Sequence, residues 1–325
     1  MQILLLGGTR FLGRATAAAA RDRGHDVVCL ARGNGPVPDG VRLVVADRDV
    51  DDALAAVADR SWDAVVDMAT QPGHVRRAVR DLRTPHRVQV STANVYARYD
   101  LPEQAEGSAT VPALEADAMA GMEDYGAAKV ACEEAVRAAG GTATVVRAGL
   151  IGGPGDGSGR LGYYPWRFAH PTGTDVLVPP DLSMPMAVID VDDLATWLVE
   201  AAERGLDGTF NATGPTIQLG DLLDLARRVA DSDAVARPVP EDVVAAEGVN
   251  PWMGPTSLPL WVDDPAMRWF ATLDTSAARR EGLRTRPLEE TLSRALAEEE
   301  ARTTPRGCGL TDEEEIRVRE ALDRR

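Results

Sequence analysis

The chain has 325 residues, of which 44% are hydrophobic and 26% are charged, proportions that are ordinary for a globular protein with a substantial core. Its formal net charge of −16 disfavours nucleic-acid binding through a basic surface, because acidic proteins repel phosphate backbones. An anionic ligand would therefore need a local positive site.

Cysteine and histidine usage gives no sign of a metal site. Cys29, Cys132 and Cys308 show neither CxxC nor CxxH spacing, and the four histidines lack paired ligand spacing. The chain opens on a strand-like run without a basic leader, and no window approaches the roughly 20 apolar residues of a membrane span. We therefore expect no metal, no membrane association and a cytoplasmic location.

The first half alternates short apolar runs with amphipathic or Ala-rich stretches, a pattern that predicts a parallel sheet covered by helices on both faces. Right-handed crossovers favour the doubly wound arrangement. The predicted fold class is α/β, a Rossmann-type doubly wound parallel sheet with a smaller, mixed C-terminal substrate lobe. Strands are predicted at 2–6, 26–30, 42–46, 63–68, 87–91 and 143–147, and helices at 11–23, 50–59, 73–82 and 124–139.

The second half is less regular. Residues 152–185 are rich in Gly and Pro and predict a loop with a short helix. A strand, turn and helix follow at 186–203, where Asp190 or Asp192 could cap the helix. Further elements are predicted as a strand at 208–212, a helix at 218–230 and a charged helical tail at 274–325. The predicted domains are a Rossmann domain, 1–150 with 186–215 returning to it, and a substrate-binding lobe with C-terminal helices, 151–185 and 216–325.

A glycine-rich turn joins the first predicted strand to the first helix. Residues 6–13 read Leu-Gly-Gly-Thr-Arg-Phe-Leu-Gly, and in this context glycines let the backbone approach a dinucleotide pyrophosphate at the helix N-terminus. The alternative is a plain glycine-rich turn. The candidate cofactor contacts in the turn are Gly7, Thr9, Arg10, Phe11, Leu12 and Gly13.

The end of the second predicted strand discriminates between cofactors. An NAD site usually has an acidic residue there, whereas this chain has Ala31 followed by Arg32. With Arg10 nearby, Arg32 suits the 2′-phosphate of NADP, although Arg32 alone could be a solvated loop residue. Asp47 is placed to meet the adenine amino group, and Ala69 follows the fourth strand. The sequence therefore predicts NADP(H) over NAD(H).

A YxxxK motif lies on the predicted helix 124–139. Spacing of four puts Tyr125 and Lys129 on one face, one turn apart, where the ammonium can help the tyrosine exchange a proton with a carbonyl or alcohol. Ser91 and Thr92 end the fifth predicted strand at its carboxyl edge, where open α/β sheets bind ligands. This combination is more specific than YxxxK alone, which is common on surface helices.

At these residues the sequence resembles an extended, or atypical, short-chain dehydrogenase/reductase of the NAD-dependent epimerase/dehydratase superfamily, especially the bacterial subgroup whose turn reads GGTRFLG. The similarity continues through VVRAGLIGGPGD (145–156), AVIDVDDLATWLV (187–199) and GTFNATGP (208–215). The resemblance implies that Thr92 polarises the substrate carbonyl, Tyr125 is the general acid/base and Lys129 holds the nicotinamide ribose. Ser91 could substitute for Thr92 or assist it.

Departures from the family's patterns bear on the substrate. Sugar-nucleotide dehydratases carry Asp-Glu after the threonine, where this chain has Ala93-Asn94. Epimerases tend to carry an asparagine near the position of Leu150, and this chain lacks it. Aromatic residues after 162 suit a flat or hydrophobic substrate, with a lobe core as the alternative. Arg147 is either a substrate contact or a structural residue at a strand end. The candidate substrate contacts are Asn94, Arg147, Tyr164 and Trp166.

Three functions are compatible with these patterns. The leading one is hydride transfer between NADP(H) and a carbonyl or alcohol of a small molecule, with Tyr125 as acid/base. The second is sugar-nucleotide epimerisation with tightly bound NAD. The third is a non-catalytic NAD(P)- or RNA-binding module, which the acidity and the complete Thr92, Tyr125 and Lys129 set disfavour. The resemblance further suggests a homodimer through the helices at 73–82 and 124–139.

Overall fold

The computed structural model describes residues 1–325, and its first half alternates strands and helices within about two residues of the predicted bounds in most cases. One predicted helix, 50–59, is only a single helical turn at 55–58, and residues 51–54 before it form turns. The Trp62 indole N–H donates to Val57 O at 3.1 Å just where this helix ends. The elements are β1 (Gln2–Leu6), α1 (Phe11–Asp22), β2 (Asp26–Ala31), β3 (Arg42–Val45), α2 (Ala55–Ala58), β4 (Ala64–Asp67), α3 (Pro72–Asp81), β5 (His86–Thr92), α4 (Tyr125–Ala138) and β6 (Thr142–Ala148).

The second half contains more short strands than the sequence indicates. The strands at 175–178 and 235–238 were not predicted, because each pairs with a partner about 60 residues away and leaves no local signal. The elements are β7 (Leu150–Gly152), α5 (Tyr163–Ala169), β8 (Asp175–Val178), β9 (Pro185–Met186), β10 (Val188–Asp190), α6 (Val191–Arg204), β11 (Gly208–Ala212), β12 (Ile217–Gln218), α7 (Leu219–Val229), β13 (Val235–Pro238), α8 (Glu241–Ala246), β14 (Asn250–Trp252), β15 (Ser257–Pro259), α9 (Ser276–Arg280), α10 (Leu288–Glu300) and α11 (Asp312–Asp323).

A seven-stranded parallel sheet forms the centre of the molecule, in the order β11-β6-β5-β4-β1-β2-β3. The strand order reverses between β1 and β4, so their carboxyl ends border a crevice of the kind that binds ligands in open α/β sheets. β4 and β5 are buried throughout, as expected for strands covered on both faces. The predicted Rossmann-type fold is confirmed.

Two hydrophobic cores divide the molecule. The sheet core holds the buried faces of α1 and α6, while the lobe core gathers α5, α7, β8 and the C-terminal helices. Ala278 and Leu283, which the predicted boundaries assign to the lobe, pack in the sheet core instead. Asp190 caps α6 by accepting a hydrogen bond from Asp192 N at 2.9 Å. Of the two predicted capping residues, Asp190 is therefore the one that caps the helix. No helix combines the length and apolar character needed to cross a bilayer.

Candidate functional site

The glycine-rich turn brings the backbone of β1 and α1 into direct contact. Gly7 has a φ of +111°, and a Cβ built on Gly13 would lie 2.1 Å from the carbonyl oxygen of Gly7. A side chain at position 13 would therefore push α1 away from the turn. The first N–H groups of α1 have no intrahelical acceptor and are available to a pyrophosphate.

Gly13→Ala tests this packing. Because the added methyl group meets backbone and not a flexible side chain, we expect α1 to shift and affinity for NADPH to fall by at least about tenfold. The matched control is Gly107→Ala, since Gly107 is exposed and a Cβ there meets nothing within 4 Å. Calorimetric titration of both variants gives the comparison; equal affinities would remove Gly13 from the cofactor site.

A cavity of about 540 Å³ opens beside the turn, at the carboxyl ends of β1 to β4. Arg10 and Arg32 are exposed at its edge, and their side chains form no hydrogen bond or ion pair within the chain. Asp47, also exposed, lines the same cavity, so the structure brings together the residues predicted to meet the adenosine half of the cofactor. The predicted contacts that line the cavity are Gly7, Thr9, Arg10, Arg32, Asp47 and Ala69.

Two other predicted contacts of the glycine-rich turn, Phe11 and Leu12, do not line the cavity. The Leu12 side chain packs in the sheet core, so only its backbone can reach a cofactor. Phe11 is partly buried and points to the loop after β7, where a Cβ on Gly155 would lie 3.7 Å from its ring.

A buried ion pair supports the floor of the cavity. Arg48 donates to both carboxylate oxygens of Asp67, at 2.7 and 2.8 Å, and to the carbonyl of His74 at 2.6 Å. His74 Nε2 lies 2.7 Å from Asp49, and burial lowers the pKa of this imidazole even though Asp49 opposes the shift. The Arg48–Asp67 pair joins the end of β4 to α3 and fixes the floor on which the cofactor would rest.

Lys129 is fixed at the junction of the cofactor cavity and the catalytic residues. Its side chain is 3% exposed, and Nζ donates to Ala69 O at 2.8 Å and to Val90 O at 2.9 Å. An ammonium has three donors, so one N–H remains for a cofactor ribose. Because Ala69 also lines the cavity, Lys129 lies where the cofactor would pass from β4 to β5.

Tyr125 opens α4 against the turn that follows β5. A Cβ on Gly126 would lie 2.2 Å from the carbonyl oxygen of Asn94, so the glycine allows the start of α4 to approach this turn closely. Thr92 donates to Asn94 Oδ1 at 3.0 Å and accepts from Asn94 N at 3.2 Å. Tyr125 is partly exposed and its hydroxyl has no partner in the chain. The start of α4, which carries Tyr125 and Lys129, therefore packs on the end of β5 that carries Thr92.

Gln89 is a buried polar residue that the sequence analysis missed. It is fully buried on β5, and its Nε2 lies 3.1 Å from Val90 O and 3.4 Å from Ala69 O, the same two carbonyls that hold Lys129. Its Oε1 is buried without a partner. The signal in the sequence was a glutamine inside an apolar strand, RVQVS.

Ser91 and Arg147 are committed to a buried carboxylate and face away from the cleft. Ser91 donates to Glu133 at 2.6 Å, and Arg147 donates to both oxygens of Glu133 at 3.0 and 2.8 Å. Burial alone would raise the pKa of Glu133, but the hydrogen bonds from Arg147 and Ser91 outweigh it and lower the pKa. The geometry corrects two expectations: Ser91 does not replace Thr92, and Arg147 is structural. Glu133, four residues after Lys129, could have been found by its helical spacing.

Two predicted substrate contacts also lie elsewhere. Tyr164 is fully buried in the lobe core and donates to Pro259 O at 3.2 Å. Trp166 lies on the outer side of the lobe, with the Arg306 guanidinium 3.6 Å from its ring centroid. Both are aromatic residues of α5, whose packing against the C-terminal segment decides their orientation.

Comparison with known proteins agrees with this geometry. The family model described as NAD dependent epimerase/dehydratase family matches residues 3–212. A 2'-dehydrokanamycin reductase from Streptomyces kanamyceticus is 30% identical over an alignment of 210 residues that covers 62% of this chain and 57% of the relative. The match thus spans little more than half of that protein.

Solved structures share the fold at low identity. The UDP-glucose 4-epimerase of Thermotoga maritima, solved with UDP-glucose, superposes with a TM-score of 0.69 at 17% identity, covering 93% of this chain and 99% of the other. The Bordetella bronchiseptica enzyme WbmH, solved in complex with NAD+, gives a TM-score of 0.66 at 20% identity, covering 93% and 99%.

Proposed function

Since this chain belongs to the NAD dependent epimerase/dehydratase family, we propose that it is an oxidoreductase that transfers hydride between NADP(H) and a carbonyl or alcohol of a small molecule. The observation that carries the proposal is the packing of the start of α4, with Tyr125 and Lys129, on the end of β5 that carries Thr92, next to the cavity. The similarity to a protein named as a reductase supports the redox class.

Each residue has a definite task in this reaction. When bound, the nicotinamide cofactor supplies or accepts the hydride. Lys129, fixed by Ala69 O and Val90 O, holds the ribose with its remaining N–H. Thr92 donates to the substrate oxygen after releasing Asn94, and Tyr125 gives that oxygen its proton in reduction or takes it in oxidation. Ala93 and Asn94 supply no carboxylate for the loss of water, which disfavours dehydration.

The NADP preference rests on Arg10 and Arg32, whose guanidiniums are free at the cavity edge. One or two charge-assisted hydrogen bonds to a 2′-phosphate would favour NADPH over NADH by about ten- to a hundredfold. We expect calorimetry to show this difference and Arg32→Ala to remove most of it. Arg83→Ala is the matched control, since Arg83 is exposed and outside the cavity. Tighter binding of NADH to the unmodified chain would contradict the preference.

The same purified protein separates reduction from epimerisation. An epimerase recycles its cofactor within one active site and would retain NAD(H) through purification. We expect the protein to lack bound nicotinamide and to require added NADPH for turnover. Stoichiometric NAD(H) released on denaturation would favour an epimerase instead.

A further inference from the structure

Arg160 is a partly buried arginine without a counter-ion. It lies in the loop that follows β7, and its Nε is buried with no hydrogen-bond partner. The only hydrogen-bond contact of its guanidinium is weak, from Nη1 to the thioether sulfur of Met253 at 3.8 Å. Asp156 is close enough to influence it but forms no ion pair with it, and the second oxygen of Asp156 is itself buried without a partner.

Three of the four buried arginines in this acidic chain pair with a carboxylate, and the fourth, Arg87, donates to the carbonyls of Leu82 and Thr84. Arg48 pairs with Asp67, Arg147 with Glu133, and Arg167 with Asp312 and Glu315. Burial lowers the pKa of Arg160, and the nearby charge of Asp156 offsets only part of this shift. Burying a guanidinium without a counter-ion is energetically unfavourable unless a bound anion pairs with it.

A row of partly exposed aromatic rings leads from Arg160 to the catalytic turn. The guanidinium lies 4.5 Å from the Trp252 ring centroid, Trp252 contacts Phe270 at 4.5 Å, and Phe270 contacts Tyr99 at 6.5 Å. The Tyr99 hydroxyl donates to Ala93 O at 3.3 Å, directly after Thr92. Trp252 has a φ of +66°, a backbone conformation that is rare for a bulky residue and is found at ligand sites.

This row leads from the lobe core to a small separate hydrophobic cluster. Trp252 and Phe270 pack against the lobe core, whereas Tyr99 packs against the cluster under the catalytic turn. The loop that carries Arg160 also meets the glycine-rich turn, where Gly155 approaches Phe11. Arg160 is thus linked to both halves of the active-site cleft.

Exposed apolar side chains occur near the same features. Met253 contacts Arg160, Leu101 follows Tyr99 by two residues, and Met122 precedes Tyr125 by three; the three side chains are 47%, 48% and 74% exposed. Exposed large hydrophobic side chains next to these residues favour a ligand with an apolar surface.

We propose that Arg160 binds a carboxylate or phosphate group of the substrate, while Trp252, Phe270 and Tyr99 contact its flat or apolar body. The substrate would then be an anionic carbonyl compound, or the corresponding alcohol, whose reacting carbon lies near Tyr125 and whose anionic group lies at Arg160. This inference rests on the proposed function, and it names the substrate class of the same site.

The test compares anionic probes with a neutral probe of the same shape. Benzoate, phenyl phosphate and benzamide are titrated calorimetrically into the full chain, with and without saturating NADP+. We expect at least one of the two anions to bind about tenfold more tightly than benzamide, an advantage that decreases with added salt. Arg160→Met should abolish the advantage and Arg160→Lys should restore part of it.

Arg83→Met is the matched control and should bind all three probes as the unmodified chain does. If neither anion binds better than benzamide, or if Arg160→Met keeps the advantage, the proposal is wrong. A thermal unfolding midpoint and an NADPH titration of Arg160→Met show whether the variant is folded. If the chain does not bind NADP(H), the proposed function fails, while the anion advantage can still be measured without cofactor.

Discussion

A Tyr125→Phe variant is expected to lose about 10²–10⁴-fold in kcat while its affinity for NADPH stays unchanged. In the proposed mechanism the phenol exchanges a proton with the substrate oxygen, because Thr92 is a neutral hydroxyl and the Lys129 ammonium is engaged by two carbonyls. The measurement is steady-state turnover of any carbonyl compound that the unmodified enzyme reduces, together with calorimetric titration of NADPH.

Tyr163→Phe is the matched control for this experiment. Tyr163 is fully buried in the lobe core, and its hydroxyl has no hydrogen-bond partner. Removing that oxygen should leave kcat unchanged and leave stability equal or slightly higher, since a buried unsatisfied group is lost. If Tyr125→Phe turned over as fast as Tyr163→Phe, another group would have to supply the proton.

Features with a local pattern could be predicted from the sequence. Strands β1 to β4 and β6 each contain a short apolar run, and α1, α3 and α4 have helical periodicity, so their bounds follow closely. The glycine-rich turn and the YxxxK spacing are equally local, and the resemblance to a family supplied their roles. The single turn α2 and the distant pairing of β8 with β13 depend on tertiary contacts that no local pattern carries.

The orientation of side chains was harder to predict than their position. Ser91 and Thr92 are neighbours on a strand, where successive side chains point to opposite faces, so the two hydroxyls could not both face the cleft. The structure places Ser91 at Glu133 and leaves Thr92 beside Asn94. Tyr164 likewise takes its burial from the lobe around it. Arg160 was overlooked because its lack of a partner is visible only in three dimensions.

Arg147→Met is expected to lower the free energy of unfolding by about 3 kcal/mol, because it leaves the Glu133 carboxylate buried without its bidentate partner. This is the lower end of the range for breaking a buried pair, since Arg137 still donates to Glu133 at 2.9 Å. Urea unfolding followed by far-UV circular dichroism gives the value. Arg137→Met is the matched control and should cost less than 1 kcal/mol or so, because its side chain is partly exposed.

A Glu133→Leu/Arg147→Met double variant should recover much of this loss of stability, because the uncompensated charge is gone and the site becomes apolar.

The pH dependence of stability provides a second readout. The folded pKa of Glu133 is lowered from its ordinary value of 4.5, so its contribution to stability is complete above that pH and decreases as pH falls through the folded value. The double variant should lack this part of the acid sensitivity. If the double variant were less stable than Arg147→Met, packing at Glu133 would outweigh its charge. Because Glu133 joins α4 to Ser91, the pair also links the helix that carries Tyr125 and Lys129 to the strand that ends at Thr92.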